Sequence, residues 1–401
     1  MRLLFTLATF GIFSATVHAQ FHGQFENVRP VPGLSSPYRD IAPFVTEDGR
    51  TIHFQSDRDS SADPVDWTKM NIWTATRNST SEPFGEPVMI DGPINTDERG
   101  QNNPSVVQGG TALYFFTGSW TGTGDGQSFV SQKVSDTEWG APQLVEGIND
   151  AERDIFVTHV SEDAKTLYFN LSIDGTRNYS IFRASRDSTL EPFGNTTLLD
   201  GVSTEQFTED AARESSDVSL LLFATNRGPA GFHELWGAVR SSTNEPFTNP
   251  MDVNELGLGE LNAGNTAEFS PYVSPDWPAH GSKIYFARAF VETDWDIMEA
   301  TWVVDLATDF SGDGNVGVED IDVLVAKIVA GTDGELFDLT GSGVADDMDV
   351  NQWLSEAATH NGFSQAYLPG DSNLDGSVDA TDLNNLALNW RKDEDVAAWS
   401  A

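Results

Sequence analysis

The chain has 401 residues, 39% of them hydrophobic and 11% aromatic, a globular composition with room for more than one domain. Its 62 acidic residues against 22 basic ones give a net charge of −40, which excludes nucleic acid and anionic membrane surfaces and favours cations as partners. Cysteine is absent, so disulfides, thiol nucleophiles and thiolate metal sites are excluded as well.

The chain opens on an export signal. Met1-Arg2 supplies a positive start, Leu3 to Val17 is mostly apolar, and Val17-His18-Ala19 places small or medium residues before a cut after Ala19. The apolar stretch falls short of the roughly 20 residues that a membrane-spanning helix needs, and no later run approaches that length. The expectation is a soluble protein, secreted to the extracellular space or the periplasm.

A unit of four short strands then recurs five times. Its second strand carries the anchor: Ile52-His53-Phe54, Leu113-Tyr114-Phe115, Leu167-Tyr168-Phe169, Leu221-Leu222-Phe223 and Ile284-Tyr285-Phe286, with 61, 54, 54 and 63 residues between successive phenylalanines. A third strand with period-2 alternation follows each anchor, as in Asn71-Ile72-Trp73-Thr74-Ala75-Thr76 and Ile181-Phe182-Arg183-Ala184. Fourth strands open at Phe84-Gly85, Trp139-Gly140, Phe193-Gly194 and Phe247-Thr248. The fifth unit lacks one, whereas Phe25-Glu26-Asn27-Val28 stands ahead of the first. One sheet of this size cannot bury both faces, and stacked copies supply the missing core. An N-terminal strand completing the last sheet would close the ring and remove its exposed edges. The fold expected over 20–304 is therefore mostly β, a five-bladed β-propeller.

The runs Asp40-Ile-Ala-Pro-Phe-Val-Thr-Glu-Asp-Gly49, Ile52-His-Phe-Gln-Ser-Asp-Arg58 and Asn71 to Arg77 resemble the TolB-type, WD40-like propeller repeat of secreted and periplasmic bacterial proteins. The match is strong in blades one, three and five; blade two has Gln101 where the motif carries Asp. The resemblance implies the fold and a binding or scaffolding role, since a fold alone does not give a reaction.

In a four-strand meander, the start of the first strand and the loop between strands two and three lie at the same end of the blade. That end collects Asp40, Asp154, Glu209 or Asp210, and Glu268, with Gln101 as the neutral member, and the tryptophans Trp67, Trp120 and Trp295. Carboxylates ringed by indoles suit a carbohydrate, because ring faces stack on sugar C–H surfaces while carboxylates take hydroxyls. Two such carboxyls about 6.5–9.5 Å apart would also run inverting glycoside hydrolysis, with Asp40, Asp154 and Glu268 as the candidates. The plainer reading, that an acid repeated at one strand position bonds neighbouring backbone, weighs more. His53, His159 and His233 are scattered and read as strand or loop residues.

From 305 to 401 the composition changes to 20 acidic and 3 basic residues, and the apolar period changes from 2 to 3.6. Three twelve-position loops line up as calcium loops: 309–320 with Asp309, Ser311, Asp313, Asn315 and Asp320; 338–349 with Asp338, Thr340, Ser342, Asp346 and Asp349; and 371–382 with Asp371, Asn373, Asp375, Ser377, Asp379 and Asp382. Alternate oxygens turn inward on one sphere, and Gly314, Gly343 and Gly376 at position 6 allow the sharp bend. Hydroxyls replace two of the usual carboxylates in the middle loop, which should bind weakly or not at all. Apolar residues then fall at i, i+3, i+4 and i+7: Ile321, Leu324, Val325, Ile328; Val350, Trp353, Leu354, Ala357; Leu383, Leu386, Ala387, Trp390.

A calcium loop with only its exiting helix resembles the dockerin, an EF-hand-like module that plugs extracellular proteins into cohesin-bearing partners. Here there are three loops, 29 and 33 residues apart, where dockerins have two, and the ending at Trp399-Ser400-Ala401 falls where a fourth would begin, which reads as a truncated form. The resemblance implies calcium as cofactor and a cohesin-like protein as partner. The expectation is thus a secreted, non-catalytic binding or scaffold protein whose propeller recognises a glycan or protein. Its alternatives are an O-glycosyl hydrolase of polysaccharide degradation carrying a dockerin, and a purely structural assembly subunit.

Overall fold

The computed structural model describes residues 23–58, 67–96, 99–118, 126–149, 154–172, 178–228, 231–291, 294–304, 308–311, 313–331 and 337–389. The export signal, Trp120 and Trp390 lie outside these residues. The chain divides into two compact units, one formed by residues up to Pro278 with Ser282–Trp302, the other by Ala279–Gly281 with Val303–Ala401.

The first unit is a five-bladed β-propeller closed by an N-terminal strand. That strand is β1 (Gly23–Pro30). Blade one is β2 (Asp40–Val45), β3 (Thr51–Ser56), β4 (Asn71–Thr76) and β5 (Val88–Met89). Blade two is β6 (Gln101–Val107), β7 (Ala112–Thr117), β8 (Gln127–Gln132) and β9 (Gln143–Leu144). Blade three is β10 (Ile155–Val160), β11 (Thr166–Ser172), β12 (Tyr179–Ser185) and β13 (Gly194–Leu198). Blade four is β14 (Glu209–Glu214), β15 (Leu220–Thr225), β16 (Glu234–Val239) and β17 (Thr248–Asp252). Blade five is β18 (Ala267–Val273), β19 (Lys283–Val291) and β20 (Asp294–Val304), and β1 adds to β20 as its fourth strand. The first strands β2, β6, β10, β14 and β18 touch one another in ring order, so they form the inner wall.

The repeated anchor forms the core because its aliphatic residue and its phenylalanine, two positions apart, lie on the same face of a strand that is covered on both sides. Ile52, Leu113, Leu167, Leu221 and Ile284 are all sealed from solvent, and so are Phe54, Phe115, Phe169, Phe223 and Phe286. Each such ring contributes about 2–3 kcal/mol by burial. Adjacent blades meet closely at the ends of their outer strands. A Cβ on Gly147 would stand 1.9 Å from the Phe193 carbonyl oxygen, and one on Gly259 would stand 2.2 Å from that of Phe25. Both glycines have positive φ, at 91° and 107°, so glycine is required twice over. The same contact at Phe193 and Phe25 shows that β1 occupies the fourth-strand place of blade five. Phe25 also packs edge-on against Trp302 at 4.8 Å.

The second unit holds α1 (Val318–Ala330), α2 (Asp347–His360) and α3 (Ala380–Asn389). Each begins inside one of the twelve-position loops, but Leu383, which opens the apolar face expected of α3, is 66% exposed, and the side chains of Leu386, Ala387 and Trp390 lie outside the described residues. Ile321, Leu324, Trp353, Leu354 and Ala357 are buried in one cluster, and the Trp353 Nε1–H donates to the Thr308 carbonyl at 2.7 Å. No helix among the described residues is long and apolar enough to cross a membrane.

Candidate functional site

The acids at the starts of the inner strands are mostly bound into the scaffold. Arg58 donates to Asp40 at 2.6 Å and to the Leu34 carbonyl at 2.6 Å. Arg288 repeats the fork with Glu268 at 2.9 Å and the Leu261 carbonyl at 2.6 Å, and Arg227 with Glu209 at 2.7 Å and the Val202 carbonyl. Arg58 and Arg227 come from just beyond the second strand and Arg288 from within it, and each ties its own blade's acid to the loop that precedes it. Burial pushes the Asp40 and Glu209 carboxyls above the ordinary range, against the pull of their arginines. In blade two Gln101 holds the same loop with neutral groups, taking the Thr96 N–H at 3.2 Å and donating to the Thr96 hydroxyl at 3.1 Å.

A second repeated tie lies beside the first. Asn95, Asn149 and Asn262 each grip one residue of a third strand by its N–H and its carbonyl: Ile72 at 2.8 and 3.0 Å, Ser128 at 2.9 and 2.9 Å, Leu235 at 2.8 and 2.8 Å. In blade three the Ser203 hydroxyl takes the Ile181 N–H instead. Neither the arginine forks nor these asparagines were picked out from the sequence. The signals were the doublets Ile94-Asn95, Ile148-Asn149 and Leu261-Asn262, and an arginine 18 residues after Asp40 and Glu209.

The inner strands do not run straight. In four blades two residues bulge out of the pairing, Ala42-Pro43, Asn103-Pro104, Ala211-Ala212 and Ser270-Pro271, and the first of each pair has φ between 49° and 55°. A non-glycine residue there costs about 1–2 kcal/mol and persists because its neighbours hold it. Gln55 of blade one takes the Asn103 N–H at 2.8 Å, and Asn170 of blade three takes that of Ala211 at 3.2 Å. Blade three skips a single residue, Thr158, whose hydroxyl donates to the Ala212 carbonyl at 2.9 Å.

Two carboxyls stand apart from the arginine forks. Asp210 follows Glu209 on β14, is buried, and accepts the Ala211 N–H at 2.6 Å. Burial raises its pKa to about 7, with that N–H opposing. Asp154, just ahead of β10, accepts the Gly126 N–H at 2.7 Å through Oδ1, while its buried Oδ2 has no hydrogen-bond partner. The register of each inner strand on its second strand sets Asp210 at the same level as Ile41, Asn102, Phe156 and Phe269. Asn102 Oδ1 is buried and unpartnered too. Phe269 carries His233 edge-on at 5.3 Å and Trp295 edge-on at 6.4 Å. Burial lowers His233 to about 4, so its imidazole is neutral. Trp67 is half-buried in a short 3-10 turn at Trp67–Lys69. Buried His53 and His159 sit on β3 and β10 and are held to about 3 by burial. This end of the propeller gathers one carboxyl raised to about 7, an amide oxygen and aromatic rings, with Asp210 and Asn102 3% and 0% exposed.

The three loops of the second unit share one geometry. Gly314, Gly343 and Gly376 have φ of 83°, 90° and 90°. In each loop the position-1 carboxylate takes the N–H of that glycine: Asp309 at 2.7 Å, Asp338 at 2.6 Å and Asp371 at 2.9 Å. The position-12 carboxylates Asp320, Asp349 and Asp382 are buried and bridge the start of the loop to the first turn of its helix. Asp320 takes the Ser311 and Gly317 N–H groups at 2.9 and 2.7 Å, and Asp349 takes those of Thr340 and Asp346 at 2.9 and 2.7 Å.

No protein-family model matches the chain, and no curated protein matches it by sequence. Solved structures do match. A family 117 glycoside hydrolase from the marine bacterium Zobellia galactanivorans is 16% identical, with 72% of this chain and 92% of that one covered at a TM-score of 0.47. A glycosyl hydrolase from Bacteroides ovatus is 13% identical over 69% and 93%, at 0.43. A Trypanosoma rangeli sialidase in complex with the inhibitor DANA is 11% identical over 66% of this chain and 55% of its own, at 0.42. The chain thus spans about half of the sialidase, and the other two of these three neighbours carry the name of glycoside or glycosyl hydrolase.

Proposed function

We propose that this is an extracellular protein whose propeller recognises a glycan at the end of the ring that carries Asp210, and whose helical tail folds around calcium. One observation carries the first half: Asp40, Glu209 and Glu268 are spent in arginine forks, which leaves Asp210 as a carboxyl of the inner wall outside them. Recognition needs such a group beside Asn102, Phe269 and Trp295; two-carboxylate hydrolysis needs a pair. The test is binding of the exported protein, in calcium, to a panel of plant and algal polysaccharides. Asp210→Asn should weaken the binding at least tenfold. Failure to bind any glycan would overturn the reading.

Hydrolysis is the second reading, favoured by one feature: a carboxyl raised to about 7 keeps its proton in a substantial fraction of molecules at neutral pH, as a general acid needs. Asp154, with its unpartnered oxygen, would be the base. Release of reducing ends that both Asp210→Asn and Asp154→Asn abolish would establish this reading over the first.

The tail's residues fit calcium by their chemistry. Asp309, Ser311, Asp313 and Asp320, then Asp371, Asn373, Asp375 and Asp382, present hard oxygens on loops whose position-6 glycines already adopt the required bend. Calcium would neutralise these carboxylates and tie each loop to its helix. Extracellular modules of this kind bind at about 10⁻⁴ to 10⁻³ M. Titration calorimetry on the whole chain should register two sites, lost one at a time in Asp309→Ala and Asp371→Ala. A dockerin-like role belongs to the same reading: an immobilised cohesin should retain the protein in calcium and release it in chelator.

A further inference from the structure

Halfway along the propeller, one residue from every inner strand sits at the same level. The position that pairs with the residue before each buried phenylalanine is Phe44, opposite His53; Ser105, opposite Tyr114; His159, opposite Tyr168; Arg213, opposite Leu222; and Tyr272, opposite Tyr285. All five are buried. The rings of Phe44 and Tyr272 approach to 4.8 Å, and the Arg213 guanidinium lies 5.7 Å from both. Blades four, five and one therefore converge on one place.

The polar groups of this layer are not all used. Tyr272 donates its hydroxyl to the Val45 carbonyl at 2.6 Å. The Ser105 hydroxyl, the His159 Nδ1 and all three nitrogens of the Arg213 guanidinium have no hydrogen-bond partner, although every one of them is buried. They belong to three consecutive blades at one level. Arg213 is 2% exposed and has no hydrogen-bond partner, whereas Arg39, at 1%, is paired with Asp57. The two ring faces offset part of the cost of a buried cation and satisfy none of its N–H donors.

We propose that this layer holds a small monovalent anion, in the simplest case chloride, bound by Arg213 with Ser105 and His159 as further donors. His159 is kept neutral by burial, and with its proton on Nδ1 it is a donor without a partner at the same level of the inner wall. A cavity of about 500 Å³ reaches the layer from the end of the ring opposite Asp210 and is floored by Phe44, His159 and Tyr272. Its walls carry Glu47, Glu162, Glu214 and Asp276, of which Glu214 is paired with Arg240 and Glu162 takes the Gly109 N–H. One cation and an acidic mouth suit a monovalent ion and disfavour phosphate or sulfate.

The test uses the whole exported chain with calcium supplied as gluconate. In wild type the propeller's thermal midpoint should rise and saturate with sodium chloride, and it should stay flat in sodium gluconate of equal ionic strength. Crystals grown in bromide should show an anomalous peak within hydrogen-bonding reach of Arg213. Ser105→Ala, which leaves the charge in place, should raise the half-saturating chloride concentration several-fold, and Arg213→Met should remove the dependence. Equal midpoints in the two salts would overturn the proposal. So would the absence of a peak at Arg213, or a peak without any effect on the midpoint, which is an adventitious ion only. Should Arg213→Met fail to fold, an unchanged half-saturation in Ser105→Ala would count against the site.

Discussion

The propeller and the helical tail both bury carboxylates, and they compensate them in different currencies. In the propeller the charge is answered within the blade: Arg58, Arg227 and Arg288 reach Asp40, Glu209 and Glu268, and Arg39 grips buried Asp57 through two nitrogens at 2.7 and 3.1 Å. In the tail, backbone amides donate to Asp320, Asp338, Asp349, Asp371 and Asp382. A region that carries its own cations is complete when it folds. On the proposed reading, a region with 20 acids and 3 bases recruits its charge from outside.

The sharpest way to break this comparison is chelation. Calcium removal should abolish the tail's thermal transition and leave the propeller's midpoint unchanged; one transition indifferent to calcium would erase the distinction. Next in size is Arg39→Ala, which strands Asp57 in a sealed site and should cost the propeller about 3–5 kcal/mol by denaturant titration. Trp353→Ala should cost the calcium-loaded tail a similar amount, because it removes a sealed indole and its bond to Thr308. Asn149→Ala leaves the Ser128 N–H and carbonyl without their clamp and should cost about 1–3 kcal/mol.

The smallest effect has the opposite sign. Asp210 has its folded pKa raised from 3.8 to about 7, so it favours folding most at low pH, and that contribution is lost as pH climbs from near 4 through 7. Asp210→Asn should therefore stabilise the propeller above pH 7 and flatten its stability between pH 4 and 7. A variant with the wild-type pH profile would mean that Asp210 is solvated.

The propeller was legible because its signal is periodic. Five buried phenylalanines at near-equal spacing, and a stray fourth strand at Phe25, gave the blade count and the closure. The three helices were legible for the same reason, since Ile321, Leu324, Trp353 and Leu354 repeat at helical spacing. The partners of the acids were not legible. Asp40, Glu209, Asp210 and Glu268 look alike in sequence, and only the fold brings an arginine from the end of the second strand or just past it to three of them and leaves Asp210 with a backbone amide. Arg213 was invisible for a related reason. A basic residue between Ala212 and Glu214 reads as a surface strand until the register lifts it into the inner wall.

Closure by β1 has a consequence for biogenesis. The strand beginning at Gly23 finds its neighbour only at Asp294–Val304, near the far end of the propeller. During synthesis four blades can form in order while the fifth sheet waits and one row of backbone amides stays bare. The ring shuts last, in a step that joins distant parts of the polypeptide and is slow for that reason. Chains halted on the ribosome before Asp294 should bind holdase chaperones, and release should follow once β20 has emerged.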